Sequence, residues 1–404
     1  MRMPRFCVQL LGLPSSPRSL TRGESYIRPG KIRCRDWRYP RRSAVLGRRF
    51  GRNPVKIDVP LMATDLESVP EEAQQAERLG YDGTFTFEGQ HDPFFPLVLA
   101  AHHTRRLELA TAIAVAFPRS PMHLANIGHD LQVFSKGRFI LGLGSQVRAH
   151  IERRFSAVWD RPLARMRELV QAVRAIWRCW NEGERLDFRG RFYQHTLMAP
   201  FFNPGPSPYG PPPIYLAGVG RGMTRVAGEV ADGLFVHPLH STDFLRNVTV
   251  PVVTDALERR GVARSSFTIA AQVLVVTGYD EEELNQADVA TRLQLAFYCS
   301  TPAYRVVLDQ HGWGDLQEEL RALSKQGRWV EMGALIDDTM MEAFTVRCQP
   351  DELAGRLAER YAGLVDRLQL VCHANPHQRH PERWGEVIEK VKAIDQPCGS
   401  IARS

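Results

Sequence analysis

Eight times between Val55 and Ile394 a short apolar run gives way to a helical pattern, and that alternation limits the fold more than any single motif. A strand, a helix and another strand in succession make parallel pairs, because the helix carries the chain back to the edge it left. Eight such units close into a ring, so the expected fold class is α/β, a (β/α)8 TIM barrel with insertions. A doubly wound open sheet is the competing arrangement. No G-x-G-x-x-G follows the first strand, which argues against a dinucleotide-binding Rossmann domain.

The strands are expected at Val55 to Val59, Asp82 to Phe87, Leu107 to Val115, Arg138 to Leu143, Ile214 to Ala217, Gly233 to Val236, Thr268 to Val276 and Asp366 to Val371. Phe139, Ile140, Leu141 and Leu143 form a nearly continuous apolar run, the mark of a strand buried on both faces. Ser68-Val69-Pro70-Glu71 resembles a capping box, and Ser120-Pro121 a cap with a first-turn proline. The clearest amphipathic segment is Arg161 to Trp180, with Met166, Leu169, Val170, Val173, Ile176, Trp177 and Trp180 on one face. That stripe reads as core packing. Two insertions interrupt the alternation. Residues 182–212 hold a hairpin turning at Gly190 and a proline-dense loop, and residues 302–345 read as extra helices.

Charge is unevenly placed. Residues 1–54 carry fourteen Lys/Arg against Glu24 and Asp36, leaving 38 Lys/Arg and 43 Asp/Glu in the rest of the chain. The net charge of +7 therefore belongs to the extension, and nucleic-acid binding by the folded part is not suggested. The extension reads as a disordered basic segment, or as a leader translated ahead of the true start; 395–404 reads as a tail. No run of about 18 apolar residues is present to span a membrane. The seven scattered cysteines fit a reduced, cytoplasmic protein better than a disulfide or zinc framework.

In a barrel of this kind chemistry gathers where strands end. Strand two delivers Glu88, Gly89, Gln90, His91 and Asp92; strand three Ala112 and Ile113; strand four Gly144, Ser145 and Gln146. Strand five ends in Gly218, Val219, Gly220, Arg221 and Gly222, where bare amides at the start of a helix attract phosphate and Arg221 adds a forked cation. Glu88 and His91 pair a carboxylate with an imidazole, types that trade protons near neutral pH. His102, His103, His129 and His150 read as structural or solvated. A metal hydrolase would need an H-x-H on strand one, which offers only Asp58, so no metal site is expected. A Schiff-base barrel would need a lysine at a strand end; Lys56 is at the start of strand one, and no other strand supplies one.

The segments FEGQHDPFFPLVLA, LATAIAVAFPRSPMHLA, RFILGLGSQVRAHIERRF, GPPPIYLAGVG and VAGEVADGLFVHP together resemble the luciferase-like monooxygenase superfamily, in the branch that uses the deazaflavin coenzyme F420. The resemblance runs from about Val55 to Ile394 and implies a luciferase-like barrel, commonly a homodimer. It implies that Glu88 and His91 stand near the reactive ring, and that a non-prolyl cis peptide at Ala112-Ile113 abuts it. It implies further that Gly144-Ser145-Gln146 touches the cofactor's side chain, and that Gly218 to Gly222 holds its phosphate. Two departures stand out. Acid and imidazole are separated as Glu88-Gly89-Gln90-His91 where family members often place Asp-His directly. Gln146 and Val147 stand where sugar-phosphate dehydrogenases of the branch read Gly-Glu, so a sugar phosphate is not the expected substrate.

The expected function is hydride transfer between F420 and a small organic substrate, with His91 moving a proton and Glu88 tuning it or bonding the cofactor. Phe94, Phe95, Phe117 and Trp159 are candidate pocket walls. An FMN-dependent monooxygenase and a non-catalytic flavin-binding barrel are the alternatives.

Overall fold

The computed structural model describes residues 55–63 and 65–393, so the basic extension 1–54 and the tail 395–404 lie outside the described residues. Eight parallel strands close a ring in the order β1 (Lys56–Pro60), β2 (Gly83–Thr86), β3 (Glu108–Thr111), β5 (Phe139–Gly144), β8 (Ile214–Gly218), β9 (Gly233–Val236), β10 (Thr268–Val276) and β12 (Arg367–Cys372). β12 pairs back onto β1 through Lys56–Arg367, Ile57–Leu368 and Asp58–Gln369. The (β/α)8 barrel is present, every expected strand included.

Lys56–Gln272 and Leu364–Gln369 form one compact unit, which holds β1, β2, β3, β5, β8 and β9 whole and the first residues of β10 and β12. Its helices α1 (Val69–Arg78), α2 (Phe94–His103), α3 (Pro121–Phe134), α4 (Pro162–Glu182), α5 (Arg221–Val230) and α6 (Val250–Arg260) alternate with the strands. On α4 the whole expected stripe, Met166 through Trp180, is buried, and Trp177 donates its indole N–H to the Ala125 carbonyl at 3.1 Å. His129 packs edge-on against Trp180, a core role rather than a catalytic one. The insertion holds a small antiparallel pair, β6 (Phe188–Arg189) with β7 (Gln194–His195), around Gly190.

The other unit comprises Val273–Gly363 and the described residues from Leu370 on. It holds α7 (Glu281–Cys299), α8 (Leu316–Lys325), α9 (Trp329–Ala334), α10 (Asp338–Phe344), α11 (Leu353–Tyr361) and α12 (Pro381–Lys392). Here the all-helical reading of 302–345 is corrected at its end. Thr345–Arg347 forms β11, which extends the sheet beside Leu274–Val276. Three residues following a helix carry too short a pattern to register as a strand.

Two further expectations are corrected. Strand three is not continuous: it stops at Thr111 and resumes as β4 (Ala114–Val115), with a cis peptide at Ala112-Ile113 between the two parts. Ser68 makes no side-chain cap on α1; it turns back instead, donating its hydroxyl to the Asp65 carbonyl and its N–H to the Asp65 carboxylate. Glu72, one residue beyond the expected box partner, accepts the Met62 N–H at 2.7 Å. Burial pushes the Glu72 carboxyl up to about 7, opposed by that hydrogen bond. A raised carboxyl binds its proton more tightly in the folded chain than in the unfolded one. Stability is therefore expected to fall as pH rises from about 4.5 to about 7, by at most about 1.4 kcal/mol per pH unit, and to level off above. Urea unfolding of Glu72→Gln across that window should lose this slope.

Candidate active site

β2, β3 with β4, β5 and β8 are neighbours in the ring, so their carboxyl ends make one continuous stretch of rim. Glu88, His91, Ala112, Ile113, Gly144, Ser145, Gln146 and Gly218 to Gly222 all stand on that stretch. The loops are laced together by backbone bonds: Ala112 N–H to Thr86 O at 2.6 Å, Glu88 N–H to Ile113 O at 3.0 Å, and Ala116 N–H to Gly144 O at 2.9 Å.

Glycine is required where the strands crowd. A Cβ on Gly142 would lie 1.7 Å from the Thr111 carbonyl oxygen, so no side chain fits there. A Cβ on Gly144 would come within 2.7 Å of the Ile113 side chain, which lies across the position. Gln146 follows with φ +57°, a left-handed backbone rare outside glycine, and its side-chain oxygen accepts the Val147 N–H at 3.2 Å.

Glu88 does not reach His91. Its Oε2 accepts the Val115 N–H at 2.7 Å and Arg119 Nη1 at 2.6 Å, while Arg119 Nη2 reaches Asp92 Oδ2 at 2.8 Å. The expected tuning of His91 by Glu88 therefore has no hydrogen bond behind it; Glu88 holds Arg119 and the backbone of β4 at Val115. His91 is exposed and makes no hydrogen bond to a described residue. Arg119, which the sequence did not single out, clamps the strand-two turn by bonding both acids and packing its guanidinium 5.5 Å from the Phe94 ring centre. The two acids four residues apart were its only trace in the sequence.

Of the proposed wall residues, Phe94 and Phe117 are buried and Trp159 packs edge-on against Phe117 at 5.7 Å, whereas Phe95 points to solvent on α2. At the strand-five loop Gly220 precedes α5 with no side chain to cap it, so the first-turn amides of Arg221, Gly222 and Met223 have no intrahelical acceptor. Arg221 is exposed, and Leu163 covers Gly222, where a Cβ would lie 2.9 Å from its Cδ1. After strand six, burial pushes His237 down to about 3, so its ring is neutral at working pH and its Nδ1 accepts the Leu239 N–H at 3.0 Å.

The luciferase-like monooxygenase family matches residues 50–367. This chain belongs to that family. The uncharacterized protein Rv1360 of Mycobacterium tuberculosis is 52% identical over 318 residues, covering 79% of this chain and 93% of that one. The 5,10-methylenetetrahydromethanopterin reductase of Archaeoglobus fulgidus is 26% identical over 328 residues, covering 78% and 93%. Among solved structures, the coenzyme F420-dependent tetrahydromethanopterin reductase from Methanopyrus kandleri superimposes with TM-score 0.67 at 21% identity, over 85% of this chain and 98% of that one. The luciferase-like barrel is thereby seen from both sequence and fold. Its members are oxidoreductases or monooxygenases, so an enzyme of that kind is in hand.

Proposed function

We propose that this luciferase-like chain is an F420-dependent oxidoreductase that transfers a hydride between the deazaflavin and a small organic substrate. The observation that carries the reading is the joined rim itself: the Ala112-Ile113 turn lies against Gly144, flanked on one side by Glu88 and on the other by the uncapped start of α5. These residues suit the group. Gly144 and Ile113 offer a flat apolar ledge for a ring, and the α5 amides with Arg221 offer donors for a phosphate. Similarity to tetrahydromethanopterin reductases supports a deazaflavin over FMN.

Bound there, F420 would supply a two-electron hydride carrier. The chain's part is positional. Glu88, Arg119 and Asp92 hold the strand-two turn; Phe117 and Trp159 keep water from one side; His91 gives or takes a proton at its imidazole. Gln146 leaves strand four without an acid, so a sugar phosphate is not the proposed substrate.

Titration with F420 and with FMN, followed by fluorescence, tests the reading. F420 is expected to bind at least about tenfold more tightly; tighter FMN binding would replace it with the monooxygenase reading. Gly144→Ala should weaken F420 about tenfold or more, since its methyl drives Ile113 off the ledge, and melting temperature reports whether the barrel survives.

We further propose a homodimer working in the cytoplasm. Phe95 and Val98 on α2 and Phe134 on α3 are 65%, 40% and 47% exposed, and His102 stacks on Phe134 at 6.1 Å, an apolar face of the kind that pairs with its own copy. Phe95→Glu with Phe134→Glu should halve the mass seen by light scattering.

A further inference from the structure

Arg165, on the first turn of α4, is a cation without a counter-charge. Its guanidinium carbon lies 5.8 Å from the Phe117 ring centre, 5.4 Å from Phe192 and 5.9 Å from Tyr193. Nη1 donates to the Val158 carbonyl at 2.5 Å, and Nε is buried with no partner among the described residues. No carboxylate among them pairs with it. Glu168, one turn on, gives its oxygens to the amides of Arg191, Phe192 and Tyr193. Asp160 faces Arg161 instead, at 4.0 Å.

Tyr193 repeats the pattern. Its hydroxyl is buried and Arg165 stands beside it, acting on it both by charge and as a hydrogen-bonding neighbour, though the contact falls short of ordinary hydrogen-bond geometry. Burial raises the phenol, partly offset by Arg165, so the hydroxyl keeps its proton and remains a donor. Both side chains are half-buried, but the Arg165 Nε and the Tyr193 hydroxyl are buried atoms whose donor capacity no acceptor in the aromatic wall matches. A forked guanidinium beside a phenol suits a planar carboxylate.

The place matters. Phe117 follows β4 at the strand-three end, Trp159 packs on it, and Leu163 covers Gly222 at the strand-five loop. Arg165 thus lies beside Phe117 at the strand-three end, two residues along α4 from the Leu163 that meets the strand-five loop.

We propose that Arg165 and Tyr193 form a carboxylate-binding subsite at this rim. The carboxylate belongs either to the substrate or to the glutamyl tail of the coenzyme, and the second source rests on the F420 reading above. Three probes separate the cases: the tail-less deazaflavin core, the full glutamylated coenzyme, and succinate. Each is titrated into the full chain and into Arg165→Met and Tyr193→Phe, at low and high salt.

If the coenzyme supplies the group, Arg165→Met weakens the glutamylated form about tenfold, leaves the core unchanged, and removes most of the salt dependence. If the substrate supplies it, both deazaflavins bind as before, and the stabilisation that succinate gives the parent chain disappears in Arg165→Met. Tyr193→Phe, which keeps the ring and guards against misfolding, should show the same effect in smaller measure. Unchanged binding of all three probes in both variants overturns the subsite. Failure of both deazaflavins to bind the parent chain overturns the cofactor reading, while the succinate arm still decides the subsite.

Discussion

Arg367→Met is expected to lower the free energy of unfolding by about 3–5 kcal/mol, the usual cost of removing one partner from a buried ion pair. Arg367 is 3% exposed and forks onto Asp58, itself 1% exposed: Nη2 meets Oδ1 at 2.7 Å and Nε meets Oδ2. Its third nitrogen reaches Glu108 Oε2 at 2.5 Å, and Lys56 holds the other oxygen of Glu108. Burial alone would lower the guanidinium, but the two carboxylates outweigh it and hold it charged. Gly83 makes the room, since a Cβ there would lie 2.6 Å from Asp58 Oδ1. With the arginine gone, Asp58 is left buried and unpaired. Asp58→Asn in the same chain should therefore restore part of the loss, a non-additivity that a double-mutant cycle reads directly. Lys56, Glu108 and Arg367 begin their strands, at the end of the barrel away from the rim, so coenzyme affinity should hold in whatever fraction stays folded. A loss below about 1 kcal/mol would mean that the charges are replaceable by packing alone.

His91→Ala is expected to cut turnover by about 10²–10⁴-fold, the range for losing a positioned proton carrier. Coenzyme affinity and melting temperature should stay near the parent values, because the imidazole is exposed and bonds to no described residue. That separation makes the variant informative. Steady-state rates with any acceptor the parent chain reduces, set beside fluorescence titration, give both numbers. Equal rates in parent and variant would remove His91 from the mechanism and leave solvent as the proton source.

The barrel was legible because periodicity is local: each strand and each helix face is written in a dozen residues. The α4 stripe from Met166 to Trp180 came out as read. What the sequence hid was long-range. Asp58 looked like a lone candidate ligand on strand one, and its partner lies 309 residues further along. Glu88 and His91, three apart, invited pairing; Arg119, 31 residues on, took the acid instead. The break in strand three was visible only through resemblance, because Ala112-Ile113 is as apolar as the strand around it. At the start of α1 the local pattern was present in Ser68 and Glu71, yet Asp65 and Met62 offered competing partners that no window could rank.

The gap between β3 and β4 is closed by side chains on both sides. The Thr111 hydroxyl donates to the Gly142 carbonyl at 2.7 Å and accepts the Gly142 N–H at 2.9 Å, acting as a stitch where the ladder lapses. Glu88 does the same for the Val115 amide on the far side. The wall can thus bend away from its neighbour with neither edge left thirsty. A carboxylate spent on masonry is not free to shuttle protons, so on the proposed function that labour would fall to the imidazole of His91, three residues along.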